Sequence, residues 1–152
     1  MSYLHSMNIV HKNLTPESIF FDDFLFPKIG GFDIAKDIST YTNDSNNHHI
    51  KSCAFIYQAP ESLGLVEVNE PSYDVYSFSM LIYKIIMNQE QFTFEHFFFI
   101  MRPIYEGLRP EFNKPIPECY KQLMEKCWDK DPKKRPTFEE IAYQLRTDPR
   151  FI

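Results

Sequence analysis

Two short polar stretches carry the residue types that do chemistry. The first runs from His11 to Ser18 and holds Lys12, Asn13, Thr15 and Glu17 between them; the second is Gly30, Gly31, Phe32 and Asp33. Imidazole and carboxylate are the usual proton carriers of catalysis, and hydroxyl and carboxylate oxygens are ligands for hard cations. Asn13, however, is a neutral carboxamide, which accepts a hydrogen bond but takes no proton near neutral pH. Ser18 offers a hydroxyl, a weaker cation ligand of short reach. Gly31 offers no side-chain oxygen. Asn, Ser and Asp are also ordinary turn and cap residues, and loop capping is the expectation for Asn13, Ser18 and Asp33. His48 and His49 are adjacent in a polar tract with no third ligand in register, so they read as solvated side chains and not as a metal site. Asp22 and Asp23 lie between two aromatic groups and read as the turn of a hairpin.

The elements that must position these groups follow from the pattern around them. Residues 1–7 read as the last turns of a helix. Ile19–Phe21 and Pro27–Ile29 read as two paired strands, a small hairpin near residues 18–30. Tyr73–Met87 is the strongest helix: Val75, Phe78, Ile82 and Ile85 fall at helical spacing, while Met80, Leu81 and Ile86 spread the apolar surface almost all round. Such a helix is expected to be enclosed on every side. Thr93 caps an aromatic helix over 94–105, which reads either as core or as a docking patch. Pro117 opens a further helix with Tyr120, Leu123, Met124 and Cys127 on one stripe. Thr137 and Glu140 form a capping box ahead of the last stripe, Phe138, Ile141, Ala142 and Leu145.

Composition sets the outer bounds. A chain of 152 residues with 43% hydrophobic content, 15 Phe and 9 Tyr has enough apolar mass for one folded domain. A net charge of −5 gives no electrostatic footprint for nucleic acid. Cys53, Cys119 and Cys127 are an odd set without C-x-x-C spacing, read as reduced thiols in a cytoplasmic protein. No basic-then-apolar leader is present, and the longest apolar run, Phe97–Met101, is far too short to span a bilayer, so no membrane partner is expected.

The stretch YLHSMNIVHKNLTPESIFFDDFLFPKIGGFDIAK resembles the catalytic and metal-binding loops of the protein kinase superfamily. YQAPES (57–62) and CWDKDPKKRPTFEEI (127–141) place the resemblance in the tyrosine-kinase-like branch. It covers about Tyr3–Leu145. It implies a mainly α fold, the large C-terminal lobe of a kinase, with a small β-hairpin near residues 18–30. The N-terminal lobe is expected to be absent, since the sequence contains no Gly-rich loop and no V-A-I-K lysine. Residues 1–152 then form a single partial kinase-like domain. Its catalytic-loop region is 8–36, its activation-segment-like region 31–61, and its helical subdomain 62–147.

Laid on the family's motifs, the chemical positions are substituted. The base position is Asn13, the following lysine position is Thr15, and the asparagine that binds the second magnesium is Ser18. The D-F-G aspartate is Gly31, and Asp33 stands where the family has glycine. Phe20 matches a vestigial adenine-floor position, although core filling is the simpler expectation for it. The phosphate-reading arginine position is Lys12, a point charge without a bidentate fork. The structural positions are kept: His11 and Phe32 as stacking residues, Asp74 as the anchor of the catalytic loop, and Glu61 with Arg135 as an ion pair. The resemblance therefore implies a catalytically impaired, pseudokinase-like binding or scaffold module. No ATP, magnesium or other cofactor is expected. A protein partner is expected at the exposed lobe interface or the 94–105 helix. The alternative is an ATP-dependent Ser/Thr or Tyr kinase whose N-terminal lobe is missing from this chain.

Overall fold

The computed structural model describes residues 1–40, 52–63, 70–88 and 103–151. The polar tract 42–49, with His48 and His49, the side chain of Cys53, and residues 93–102 of the expected aromatic helix lie outside the described residues. The fold is mainly helical. Among the described residues, the α-helices are α1 (Ser2–Ser6), α2 (Pro71–Met87), α3 (Glu118–Cys127) and α4 (Phe138–Thr147), and residues 103–106 are also helical. Among the described residues, four short strands, β1 (Ile9–Val10), β2 (Ile19–Phe21), β3 (Pro27–Ile29) and β4 (Lys36–Asp37), join as two antiparallel pairs.

The pair β2–β3 is the expected hairpin, in the register Ile19–Ile29, Phe20–Lys28 and Phe21–Pro27. Asp22 closes its turn: Oδ1 accepts from the amides of Phe24 and Phe26 at 3.0 and 2.9 Å. This is the Asx geometry that favours aspartate at turns. The other pair, β1–β4, was not evident from the pattern, because two-residue strands leave no periodicity to read. It matters for the site, since it places Lys36 directly across from Val10.

The core is organised on α2. One cluster packs Tyr76, Met80, Tyr83 and Met87 of α2 against Tyr57, Ala59, Met124 and Trp128. A second packs Val75 and Leu81 against Leu14, Leu123, Cys127, Phe138 and Ile141. α2 is not enclosed on every side, however, for Ile85 is 69% exposed. Its fully sheltered positions include polar residues instead: Ser72, Asp74, Ser77 and Ser79 are all buried. The buried hydroxyls of Ser77 and Ser79 donate to the carbonyls of Tyr73 and Tyr76 at 3.1 and 2.6 Å, which lifts the penalty for hiding them. Hydropathy alone ranked isoleucine above serine, and local hydrogen bonding reversed that order.

The last two helices keep the centre of the apolar stripes read for them, but Tyr120, Ala142 and Leu145 are only half-buried and Cys119 is buried instead. Pro117 is the N-cap of α3, which buries Cys119, Leu123, Met124 and Cys127. Thr137 and Glu140 form the capping box of α4, which buries Phe138 and Ile141. Burial pushes the Cys127 thiol up to about 12, so it is an inert core group. Among the described residues, no helix is long and apolar enough to cross a membrane.

Candidate functional site

The first turn of α2 fixes the polar loop. Pro71 starts the helix, and three residues later Asp74 is fully buried. Its Oδ2 accepts from the His11 amide at 2.7 Å and from His5 Nε2 at 2.9 Å, and its Oδ1 accepts from the Lys12 amide at 2.8 Å. A carboxylate is tolerable in such a place only when several donors replace its water. Lys12 needs the grip, because its φ of 64° lies in the left-handed region. That conformation costs a non-glycine residue about 1–2 kcal/mol.

His11 carries the loop to the glycine pair. The Asn13 amide donates to Nδ1 at 3.2 Å, so the proton sits on Nε2, which donates to the Gly30 carbonyl at 2.8 Å. The ring meets Phe32 edge-on, with centroids 4.8 Å apart. Phe32 itself is 45% exposed.

The positions that would do chemistry are arranged differently. The Ser18 hydroxyl donates to the Thr15 carbonyl at 2.8 Å and accepts from the Thr15 amide at 3.0 Å, closing its own turn. Gly31 has φ 75°, and a Cβ there would stand 3.3 Å from Ser18 Cβ and 4.0 Å from Asn13 Nδ2. Asn13, Ser18 and Gly31 therefore converge on one small space. Asp33 does not join them; it is exposed, and no hydrogen bond or ion pair reaches it among the described residues. Phe20 is not core filling, being 55% exposed, and its ring covers Gly30, where an added Cβ would meet it at 2.8 Å. A three-residue hairpin strand has too little protein over it to bury a phenyl on that face.

The second anchor joins distant parts of the chain. Arg135 is bidentate on Glu61, with Nη2–Oε2 at 3.0 Å. It also donates to the carbonyls of Ser72 and Asp129 at 3.1 and 3.0 Å and lies 5.1 Å over the ring of Tyr76. Burial raises the Tyr76 phenol above its ordinary range, so the ring stays neutral and serves as an apolar platform.

Three residues of the neighbourhood were missed in the sequence: His5, Lys36 and Glu70. His5 completes the shell of Asp74. Glu70, just ahead of α2, meets Lys36 Nζ at 2.7 Å and Lys12 Nζ at 3.3 Å. An acid preceding a proline that starts a helix was the available signal for Glu70. His5 and Lys36 gave none, since their roles depend on pairing between strands and helices.

The chain matches, over residues 1–145, the family described as protein tyrosine and serine/threonine kinase. It is 33% identical over 151 residues to the Dual specificity protein kinase shkE of Dictyostelium discoideum, covering 95% of this chain and 21% of that protein. It is 31% identical over 148 residues to the Dual specificity protein kinase pyk3 of the same organism, covering 97% and 11%. It is also 31% identical over 159 residues to the mouse Ankyrin repeat and protein kinase domain-containing protein 1, covering 95% and 21%. The chain thus spans about a fifth or less of the length of these relatives.

Proposed function

Because the chain belongs to the protein tyrosine and serine/threonine kinase family, we propose that it is the large-lobe portion of a pseudokinase, a binding or scaffold module that does not transfer phosphate. The observation that carries this reading is the contrast between two sets of contacts. Those that hold the loop are complete: Asp74 on the amides of His11 and Lys12, His11 on Gly30, and Arg135 on Glu61. The groups that would act on a substrate are not. Asn13 cannot accept a proton, and Ser18 spends its hydroxyl on Thr15. Phosphoryl transfer is mostly positioning and charge neutralisation, so a frame without its charges is a frame alone.

Magnesium and nucleotide do not fit the residues present. The donor set facing the space beside Gly31 is a carboxamide and a committed hydroxyl, whereas magnesium binds through carboxylates and phosphates. A protein partner is the proposed ligand. It would dock on the hairpin face, where Phe20, Phe21, Phe24, Leu25 and Phe26 are all more than half exposed. Cytoplasmic residence belongs to the same reading.

The test is a thermal melt with and without Mg-ATP, beside a phosphorylation assay on a generic protein substrate. No magnesium-dependent shift and no incorporated phosphate are expected. Gly31→Asp is expected to restore neither and to lower the melting temperature, because it puts a side chain at φ 75° and 3.3 Å from Ser18 Cβ. A magnesium-dependent rise in the wild type would overturn the reading.

One observation favours the second reading, an active kinase completed by residues beyond this chain. The relatives named above as dual specificity protein kinases are several times longer than the matched region. In that case the exposed Asp33 is the available carboxylate, and a longer form of the protein would lose activity on Asp33→Asn.

A further inference from the structure

The turn of the hairpin is held in a shape that shows apolar side chains to solvent. The Leu25 amide donates to the Asp22 carbonyl at 2.9 Å, and the amides of Phe24 and Phe26 donate to the Asp22 carboxylate. Leu25 stands at φ 63°, a left-handed conformation that glycine or asparagine adopts far more readily than leucine. Phe24, Leu25 and Phe26 are nevertheless 82%, 77% and 63% exposed. Stability alone would favour polar residues and a glycine in such a turn. The base of the same hairpin walls an apolar cavity of about 510 Å³, in which Ile19 and Ile29 are joined by Leu81 of α2 and by Ile141 and Leu145 of α4. Sites of about 300–1,000 Å³ bury ligands the size of a few large side chains. Arg146 of α4 belongs to the same wall. The side chains of Arg146 and of Asp23 in the turn are exposed, and no hydrogen bond or ion pair reaches either among the described residues.

We propose that the occupant of this cavity is the hairpin turn of a second copy of the chain. Two copies pair by exchange: Phe24 and Leu25 of each enter the cavity of the other, and Asp23 of each meets Arg146 of the other. This rests on the reading of the hairpin face as a docking surface, and it names the partner. Turn and cavity adjoin on one hairpin, so a single two-fold axis can satisfy both contacts at once. The charges are complementary, an acid on the turn and a guanidinium in the wall. Three large apolar side chains and the wall they cover, on both copies, come to on the order of 1,500 Å², the size of a stable interface. A turn already fixed by Asp22 loses little freedom on docking, which favours association.

The experiment measures the mass of the full chain by sedimentation velocity over a dilution series, with native mass spectrometry of the same samples. Wild type is expected to approach twice the chain mass and to form nothing larger. Leu25→Gly should weaken the pairing by about tenfold or more. It should leave the diluted monomer no less stable, since glycine suits φ 63°. Asp23→Lys and Arg146→Glu should each weaken self-pairing by about tenfold or more, because each sets like charges against one another twice in the pair. Mixed together, these two variants should form a one-to-one dimer as tight as wild type, for every contact then joins Lys to Glu or Asp to Arg. A mixture that pairs no better than its separate components would overturn the exchange. So would a wild type that stays monomeric: a small apolar molecule carried in its native mass would give the cavity to that molecule, and a bare mass would leave the hairpin face to a different protein. A monomeric wild type says nothing against the non-transferring reading, which its own Mg-ATP melt decides, so the two failures are read by different measurements.

Discussion

Arg135→Ala is expected to cost about 3–5 kcal/mol, enough to abolish cooperative unfolding or bring the denaturation midpoint close to zero. The side chain is fully sheltered and Glu61 nearly so. Removing the guanidinium leaves the Glu61 carboxylate without its bidentate partner and takes one donor from each of the carbonyls of Ser72 and Asp129. It also strips the cover from Tyr76. Urea denaturation of wild type, Arg135→Ala, Glu61→Ala and the double variant would measure it. The double variant should be less unstable than the sum of the singles, because each single leaves one uncompensated charge. The neighbouring Lys133→Ala, on an exposed side chain, should change stability by no more than about 0.5 kcal/mol. Equal, small effects at all positions would remove the pair from the frame.

The second large effect is at Asp74. Alanine there orphans three donors at once: the amides of His11 and Lys12 and the ring of His5. Each unsatisfied buried group costs about 1–3 kcal/mol, so Asp74→Ala should cost about 3–9 kcal/mol, comparable with the total stability of a small domain. Asp74→Asn keeps the volume but presents an NH2 to one set of donors, and about 2 kcal/mol is expected. The diagnostic readout is local. Amide hydrogen exchange at His11 and Lys12 should quicken in Asp74→Asn well before exchange in α3, because the loop is released first. Uniform exchange in both regions would mean that Asp74 supports the fold generally and not the loop.

Much of this frame was readable from residues, and the reasons differ by element. Glu61 and Arg135 could be paired across the chain because both sit inside short motifs with fixed neighbours. The helix Tyr73–Met87 was visible through its apolar periodicity, and the structure extends it only to Pro71. Its exposed face was misjudged, because Ile85 looks like core in hydropathy and Ser79 does not. The hairpin was legible from its aspartate turn. The β1–β4 pairing, and with it the Glu70 cluster, was not, since it rests on two-residue strands and side chains that meet only in three dimensions. Phe20 was misread for a related reason: an aromatic residue in a strand signals burial only where something packs over it. At the candidate site, the residue types disclosed that a carboxamide, a hydroxyl and a glycine stand at positions 13, 18 and 31. They could not disclose that the Ser18 hydroxyl is used up locally.

The wiring of His11 has a wider consequence. In a polar loop, an imidazole is the commonest proton carrier. Here one ring nitrogen receives the Asn13 amide and the other gives its hydrogen to Gly30. With both nitrogens spoken for and the ring wholly inside the protein, no relay can start or end there. Freeing this ring to carry a proton would require uncoupling it from the glycine bend, and so giving up the shape of the loop.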